Sequence, residues 1–157
     1  MEIEKKYLVD PTRIKELKKL AYTSFKIDQY YLSDKNDSWT IRLRNQDGDL
    51  SITLKNKGLL SREEIEFPLT KIEFSDYVKL AQTKIRKTRY IYENSEPDKV
   101  NKYPHYCYEI DIYKDYDFIT CEVEFNTEEE ALSFIPPDWC IKDVTEDPFY
   151  KNVNLAK

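Results

Sequence analysis

Charged residues of like sign occur along this chain in pairs with one residue between the two members. The pairs are Glu2/Glu4, Arg42/Arg44, Glu64/Glu66, Lys87/Arg89, Glu109/Asp111 and Glu122/Glu124. A spacing of two places both members of a pair on the same face of a β-strand. The residues between and beside them are mostly apolar. Each predicted strand therefore has one apolar face and one charged face, and the charged faces carry both signs, as a site for a polyanion and metal ions requires.

The charged faces have two interpretations. In an ordinary antiparallel sheet they would face water, with the apolar faces on a core. Two features favour a barrel with the charges inside. Like charges crowded on one face do not help a strand to form, and the flanking helices need an apolar strand face to pack on. Because buried charges are costly unless paired, hydrated or liganded, such a lumen must be wet and must bind ions of both signs.

The lumen of this barrel would contain six cations and eight carboxylates. The cations are Lys6, Arg42, Arg44, Lys55, Lys87 and Arg89, and the carboxylates are Glu2, Glu4, Glu64, Glu66, Glu109, Asp111, Glu122 and Glu124. Arginine suits phosphate by its planar fork and lysine by its compact charge. Carboxylate clusters without His or Cys suit Mg²⁺ or Mn²⁺ rather than Zn²⁺. With only two glycines in the chain, glycine-rich phosphate loops are excluded, so side chains must bind the phosphates.

Composition narrows the class of protein further. A chain of 157 residues is expected to form one domain, residues 1–157. Its net charge of -5 argues against a partner that is a nucleic acid polymer. The sequence contains neither a long apolar run nor a signal peptide at its start, so we expect no membrane association and a cytoplasmic location. The three cysteines have no CxxC spacing, which argues against a zinc site or a disulfide framework.

Hydrophobic periodicity predicts an α+β fold dominated by strands. Strands are predicted at residues 2–9, 25–33, 39–45, 50–55, 63–68, 85–92, 106–114 and 118–125, with a short extended segment at 139–144. Helices are predicted at 12–21, 73–84, 127–134 and 145–156, and a polar loop at 93–104. Closing about eight antiparallel strands into a barrel, with the helices packed outside, would remove the exposed sheet edges.

The order of these motifs resembles that of the CYTH superfamily, the triphosphate tunnel metalloenzymes. The family's ExExK signature appears at residues 2–6, and the charged pairs follow in the family order, with a D-P-x-Y-x-N segment at 147–152. Lys5 stands where Arg is frequent in the family, and Asn56 where Gly is frequent. The resemblance implies an eight-stranded antiparallel tunnel that binds a triphosphate together with divalent metal. Members of the family hydrolyse inorganic triphosphate, thiamine triphosphate or nucleoside triphosphates, or cyclise ATP.

The residues and the resemblance together give expected roles. Arg42, Arg44, Lys55, Lys87 and Arg89 are expected to bind the phosphates. Glu2, Glu4, Glu122 and Glu124 are expected to bind Mg²⁺ or Mn²⁺, with Glu64, Glu66, Glu109 and Asp111 as further candidates. Lys6 is a candidate general base if nearby cations lower its pKa. Similarity to the family suggests Tyr31 as its partner, although the adjacent Tyr30 leaves open which ring faces the tunnel.

The leading hypothesis is a divalent-metal-dependent triphosphatase that acts on inorganic triphosphate or another small molecule carrying a triphosphate, such as ATP or thiamine triphosphate. The first alternative is a class IV-type adenylate cyclase, which would also have to hold adenine and ribose. The second is a non-catalytic module that binds polyphosphate or nucleotide, against which the eight carboxylates argue. The sequence does not determine the oligomeric state, and a homodimer stays open.

Overall fold

The computed structural model describes residues 1–58, 60–94 and 105–157. Its strands are β1 Glu2–Val9, β2 Thr23–Tyr31, β3 Trp39–Gln46, β4 Asp49–Asn56, β5 Ser61–Arg62, β6 Glu64–Pro68, β7 Thr83–Glu93, β8 Cys107–Tyr113, β9 Ile119–Glu124 and β10 Cys140–Asp143. Its α-helices are α1 Ile14–Leu20, α2 Lys71–Val78, α3 Glu128–Ser133 and α4 Asn152–Leu155. Most of the loop predicted at 93–104 lies outside the described residues. Within the described ranges, no helix combines the length and the apolar character needed to cross a membrane.

The strands form one antiparallel sheet that closes on itself. Nine strands follow one another in the order β10-β1-β9-β8-β7-β2-β3-β4-β6. Strand β5 is separated from β6 by Glu63 alone and pairs with β1 through Glu2↔Arg62 and Ile3↔Ser61. The segment 61–68 therefore pairs with β4 through β6 and with β1 through β5, and so links the β6 end of the series to β1, the second strand from the other end. The predicted antiparallel barrel is confirmed.

The number of strands differs from the eight that were expected, since nine form the series and β5 adds a tenth. The predicted strand at 63–68 corresponds to β6, and β5 lies just before the predicted range. The extended segment at 139–144 becomes β10, which pairs with the second half of β1 through Tyr7↔Asp143 and Leu8↔Lys142. One edge of β1 thus faces β9, while the other edge is shared between β5 and β10.

Side-chain caps stand at the start of the first 3₁₀ turn and of α2 and α3. Asp10 accepts a hydrogen bond from the Thr12 backbone before the 3₁₀ turn that leads into α1. Thr70 and Glu73 form a capping box at the start of α2. The predicted helix at 145–156 is wrong in extent: a 3₁₀ turn at Pro148–Tyr150 is followed by α4 alone, because Lys151 between them has extended backbone angles.

Apolar residues pack on both sides of the barrel wall. The outer core lies between the helices α1 and α3 and the outer face of strands β1, β8 and β9. Leu17, Val123 and Ala131 are among its buried residues. A second apolar cluster fills one end of the lumen and contains Tyr31, Ile85, Tyr113, Leu155 and Ala156. The C-terminal segment therefore occupies that end of the barrel, which the sequence pattern did not indicate.

Candidate functional site

The lumen contains a cavity of about 410 Å³. Its charged lining residues come from β1, β3 to β9 and the C-terminal segment. They are Glu2, Glu4, Lys6, Arg42, Arg44, Lys55, Arg62, Glu64, Glu66, Arg89, Glu109, Glu122, Glu124, Asp147 and Lys151. Strand register explains why they meet. Lys6 pairs with Glu122, and Lys55 pairs with Glu64, so charged residues of neighbouring strands share the inner face. For Lys6 with Glu122 and for Lys55 with Glu64, the interpretation in which the charged strand faces point to water is therefore excluded.

Arg42 and Arg44 of β3 are held by neutral partners. Arg42 donates a hydrogen bond from Nη2 to Thr53 Oγ1 at 3.1 Å, and Arg44 donates from Nη2 to Gln29 Oε1 at 2.9 Å. Among the described residues neither guanidinium forms an ion pair, and the Nε of both is buried without a hydrogen-bond acceptor. Burial, followed by the charge of Arg42, lowers the pKa of Arg44 to about 10. These buried donors lack an anion.

Arg89 of β7 has the opposite surroundings. It contacts Asp111 through Nε at 2.7 Å and Nη2 at 2.8 Å, donates to Glu109, and lies 3.5 Å from Glu122. Lys87 lies behind it, with Nζ at 2.7 Å from Asp111 Oδ2. The side chains of Lys87 and Asp111 are 0% exposed, and neither lines the cavity. The structure therefore does not bring these two predicted ligands to the cavity surface.

The ionisation of this buried pair follows from its surroundings. Burial, assisted by the charge of Arg89, lowers the pKa of Lys87 to about 7. Burial alone would raise the pKa of Asp111, but the charges of Arg89 and Lys87 outweigh it and lower the pKa. Asp111 is therefore an ionised carboxylate whose oxygens are occupied by two protein cations.

Glu2, Glu4 and Glu124 form a carboxylate cluster on β1 and β9. One oxygen of each lies within 4.8 Å of the other two. Glu4 and Glu124 are register partners, and Glu2 follows on the same face of β1. Burial raises the pKa of Glu2 and of Glu4, in the second case with the charge of Glu122. Burial and the charge of Glu109 raise the pKa of Glu124 to about 7. A bound cation would relieve this mutual repulsion.

The remaining predicted carboxylates surround this cluster. Glu122 lies 3.5 Å from Lys6 and from Arg89, which together with Lys87 keep its pKa well below the ordinary value despite its burial. Glu64 lies 3.8 Å from Lys55. Glu66 is exposed at the cavity wall. The eight predicted carboxylates thus divide into a cluster of three, four others on the cavity and the buried Asp111.

Lys6 and Tyr31 both face the cavity. Lys6 Nζ donates to the Tyr150 carbonyl at 2.5 Å, and the Tyr31 hydroxyl accepts from Gln29 Nε2 at 2.9 Å. Burial raises the pKa of Tyr31, although the charge of Arg42 opposes this rise. Tyr30 points to the other side of the wall, where its ring contacts Phe74. Strand parity thus assigns the inner position to Tyr31.

Sequence reasoning missed two cations of the cavity. Arg62 lies 3.4 Å from Glu2 and 3.0 Å from Glu4, and Lys151 donates to the Gly58 carbonyl at 3.2 Å. Arg62 precedes Glu64 by two positions, so the same spacing rule could have found it. Lys151 lies within the D-P-x-Y-x-N segment, which was noted as a motif without a role for its lysine.

Comparison with known proteins gives a consistent result. The CYTH domain family matches residues 1–135. An inorganic triphosphatase of Nitrosomonas europaea is 35% identical over 158 residues, which cover 99% of this chain and 96% of that protein. One from Acetivibrio thermocellus is 29% identical, covering 99% and 93%. A crystal structure of an inorganic triphosphatase superposes with a TM-score of 0.61 at 29% identity, covering 99% and 94% of the two chains. This chain belongs to the CYTH family.

Proposed function

We propose that this protein is a divalent-metal-dependent triphosphatase whose substrate is inorganic triphosphate. The observation that carries the proposal is the pair of arginines Arg42 and Arg44, which have neutral partners only and face the same cavity as a carboxylate cluster. A cavity that combines cations without a counter-ion and a cluster of carboxylates suits a metal-bound polyanion. The two relatives named above are inorganic triphosphatases, which supports the choice of substrate.

Phosphate binding is assigned to the cations on the cavity wall. Arg42 and Arg44 would bind the triphosphate first, since they have no carboxylate to give up. Lys55 already donates to Glu2, and Arg89 already donates to Glu109 and Asp111. These two cations would contact the phosphates only by sharing their donors between the substrate and those carboxylates. Lys87 was predicted as a phosphate ligand, but its ammonium group is buried against Asp111. It would influence the phosphates only indirectly, because Asp111 also holds Arg89.

The carboxylate cluster fits a hard divalent cation. Glu2, Glu4 and Glu124 offer oxygen ligands only, the donor set that Mg²⁺ and Mn²⁺ prefer. Metal dependence is general among CYTH triphosphate tunnel enzymes, and we propose Mg²⁺ or Mn²⁺ as the ion here. Glu64, Glu66, Glu109 and Glu122 remain further candidates, whereas Asp111 is occupied by Arg89 and Lys87. A bound ion would neutralise phosphate charge and lower the pKa of a coordinated water.

The contribution of the chain to hydrolysis is mainly positioning and charge. Phosphoryl transfer needs the attacking and leaving oxygens in line and their charge neutralised, and it needs little covalent chemistry from the protein. Arg42 and Arg44 would orient the phosphates, and Arg89 would stabilise charge that develops on the leaving group. Lys6 remains the proposed general base, with Tyr31 on the same cavity wall as its proposed partner. Only the neutral amine can accept a proton from the attacking water, so Lys6 would first have to release an ammonium proton to solvent and turn away from the Tyr150 carbonyl and Glu122.

The test is an assay of products. The protein is incubated with inorganic triphosphate, ATP or thiamine triphosphate, with Mg²⁺ or Mn²⁺ or with excess chelator, and phosphorus NMR identifies the products. We expect triphosphate to yield orthophosphate and pyrophosphate, and chelator to abolish turnover. Full activity in chelator would contradict metal dependence. Formation of cyclic AMP from ATP faster than hydrolysis of triphosphate would contradict the assignment as a hydrolase.

A further inference from the structure

Arg62 lies directly on the carboxylate cluster. Its Cα pairs with that of Glu2 across β5 and β1. Its guanidinium places Nε 3.4 Å from Glu2 Oε1 and Nη2 3.0 Å from Glu4 Oε1. The Arg62 side chain is 21% exposed, and the two carboxylates are 9% and 17% exposed. Two of the three members of the cluster therefore already form ion pairs with a cation of the chain itself.

The backbone around Arg62 is built for this close approach. A Cβ atom added to Gly58 would lie 2.1 Å from the Ser61 carbonyl oxygen and 3.0 Å from Arg62 Cβ. Glycine at 58 thus lets the chain fold tightly over β5. The Glu4 amide donates to the Leu60 carbonyl at 3.2 Å, which holds the segment that precedes β5 against β1.

A guanidinium and a divalent ion compete for the same carboxylates, because both are positively charged. Glu4 Oε1 accepts from Arg62, and Glu2 Oε1 is shared between Arg62 and Lys55, whose Nζ lies at 2.9 Å. A divalent ion on these oxygens would lie close to the Arg62 guanidinium, and two positive charges so close together in a partly dry cavity repel strongly. Glu124 differs, because it forms no ion pair in the part of the chain that the structure describes. A metal ion would therefore approach from Glu124 and compete with Arg62 for Glu2 and Glu4.

We propose that Arg62 is a built-in counter-ion, which holds Glu2 and Glu4 in the metal-free protein and is displaced when a divalent cation binds. This inference rests on the carboxylate cluster proposed above as the metal site, and it adds a residue that determines the metal concentration at which the site fills. The displacement is feasible because the long side chain of Arg62 lines the open cavity and is held through its ion pairs with Glu2 and Glu4. In the presence of substrate, phosphate oxygens offer the released guanidinium a new partner.

The test measures Mn²⁺ binding in the absence of substrate, by calorimetry or by the loss of the free-ion EPR signal. The variants are Arg62→Gln, Arg62→Lys and, as a matched control, Lys57→Gln. Lys57 is exposed and donates to the Asn36 carbonyl, so its loss changes the net charge equally without touching the cluster. Since hydrogen bonds to charged groups are worth more than neutral ones, we expect Arg62→Gln to bind Mn²⁺ about tenfold more tightly than the wild type. Arg62→Lys should be intermediate, and Lys57→Gln should match the wild type.

A second measurement separates competition from simple loss of structure. Without metal, Arg62→Gln should melt at a lower temperature than the wild type, because Glu4 then loses its ion pair and Glu2 keeps only the one with Lys55. Saturating Mn²⁺ should raise its melting temperature by more than it raises that of the wild type. Equal or weaker Mn²⁺ binding by Arg62→Gln, with binding still lost in Glu4→Gln, overturns the counter-ion role alone. Undiminished Mn²⁺ binding in Glu4→Gln overturns the metal site itself, and this inference with it.

Discussion

The four arginines of the lumen differ in their partners. Arg89 shares its donors among carboxylates, and Arg62 forms ion pairs with Glu2 and Glu4. Arg42 and its neighbour Arg44 donate to a hydroxyl and an amide. The free energy that an arginine contributes to anion binding depends on what it must give up. Residue type alone therefore predicts a basic lumen, whereas only the contacts show which guanidinium groups lack an anion.

Replacement of Arg42 should weaken substrate binding strongly. Arg42→Gln removes a buried charged donor that has no counter-ion, so we expect kcat/KM for triphosphate to fall by about a hundredfold, the upper range for a charged hydrogen bond. The control is Lys19→Gln, an exposed residue in the last turn of α1, which should leave kcat/KM unchanged. Steady-state phosphate release measures both. Equal behaviour of the two variants would mean that Arg42 does not contact the substrate.

The stability of the metal-free protein should respond to Glu124 near neutrality. The folded-state pKa of Glu124 is raised from 4.5 to about 7 by burial and by Glu109. Between these values the unfolded chain has released the proton and the folded chain still holds it, so this group lowers stability as pH rises through that window. We expect Glu124→Gln to remove this part of the pH dependence in urea titrations from pH 5 to 8. Parallel pH profiles for the two proteins would contradict it.

At the scale of elements, the sequence was sufficient for the long strands and for the extended segment that becomes β10, and insufficient for β5. The charged pairs of β1, β3 and β9 lie on the inner face as their spacing predicts. Strand β5 has two residues, too few for a periodic pattern, and it forms because β1 offers a free edge. The roles of Arg62 and Asp111 could not be predicted, since both depend on partners from distant parts of the chain.

The buried ion pairs between strands β7 and β8 depend on Asp111. Asp111→Asn would replace a carboxylate by a neutral amide beside two buried cations, Lys87 and Arg89. We therefore expect the free energy of unfolding to fall by about 3 kcal/mol. Glu66→Gln, an exposed carboxylate of the same cavity, should change it by less than about 0.5 kcal/mol. Urea denaturation measures both. A small effect of Asp111→Asn would show that the buried cluster does not need its charge.

The whole molecule is a barrel with one end filled by its own C-terminal segment. Leu155 of α4 is 2% exposed and packs with Tyr113 and Ile85 inside the wall, while Tyr116 donates to the Leu155 carbonyl at 2.6 Å. The outer core covers the β1, β8 and β9 side. On the β6 side, by contrast, Ile65 and Phe67 are 49% and 53% exposed. The interior thus depends on the C-terminal segment as well as on the strands.

Truncation of Leu155 tests this contribution. Leu155→Ala should lower the free energy of unfolding by about 3 kcal/mol, because it leaves a cavity at a buried site. The matched control is Leu132→Ala on α3, where the leucine is 71% exposed and the change should be near zero. Thermal or urea unfolding gives both values. Comparable losses for the two leucines would mean that the C-terminal segment only lies against the barrel.

The near-balance of charge on the cavity wall has a kinetic consequence. Its described lining contains eight carboxylates and seven cations, although the whole chain has a net charge of -5. A wall without a dominant sign produces little electrostatic steering of distant ions. The species best matched to it is triphosphate already complexed with metal, because each divalent ion reduces its negative charge by two. We therefore expect kcat/KM for the complexed substrate to change little with ionic strength, whereas a tunnel that attracted the bare polyanion would slow steeply as salt is added.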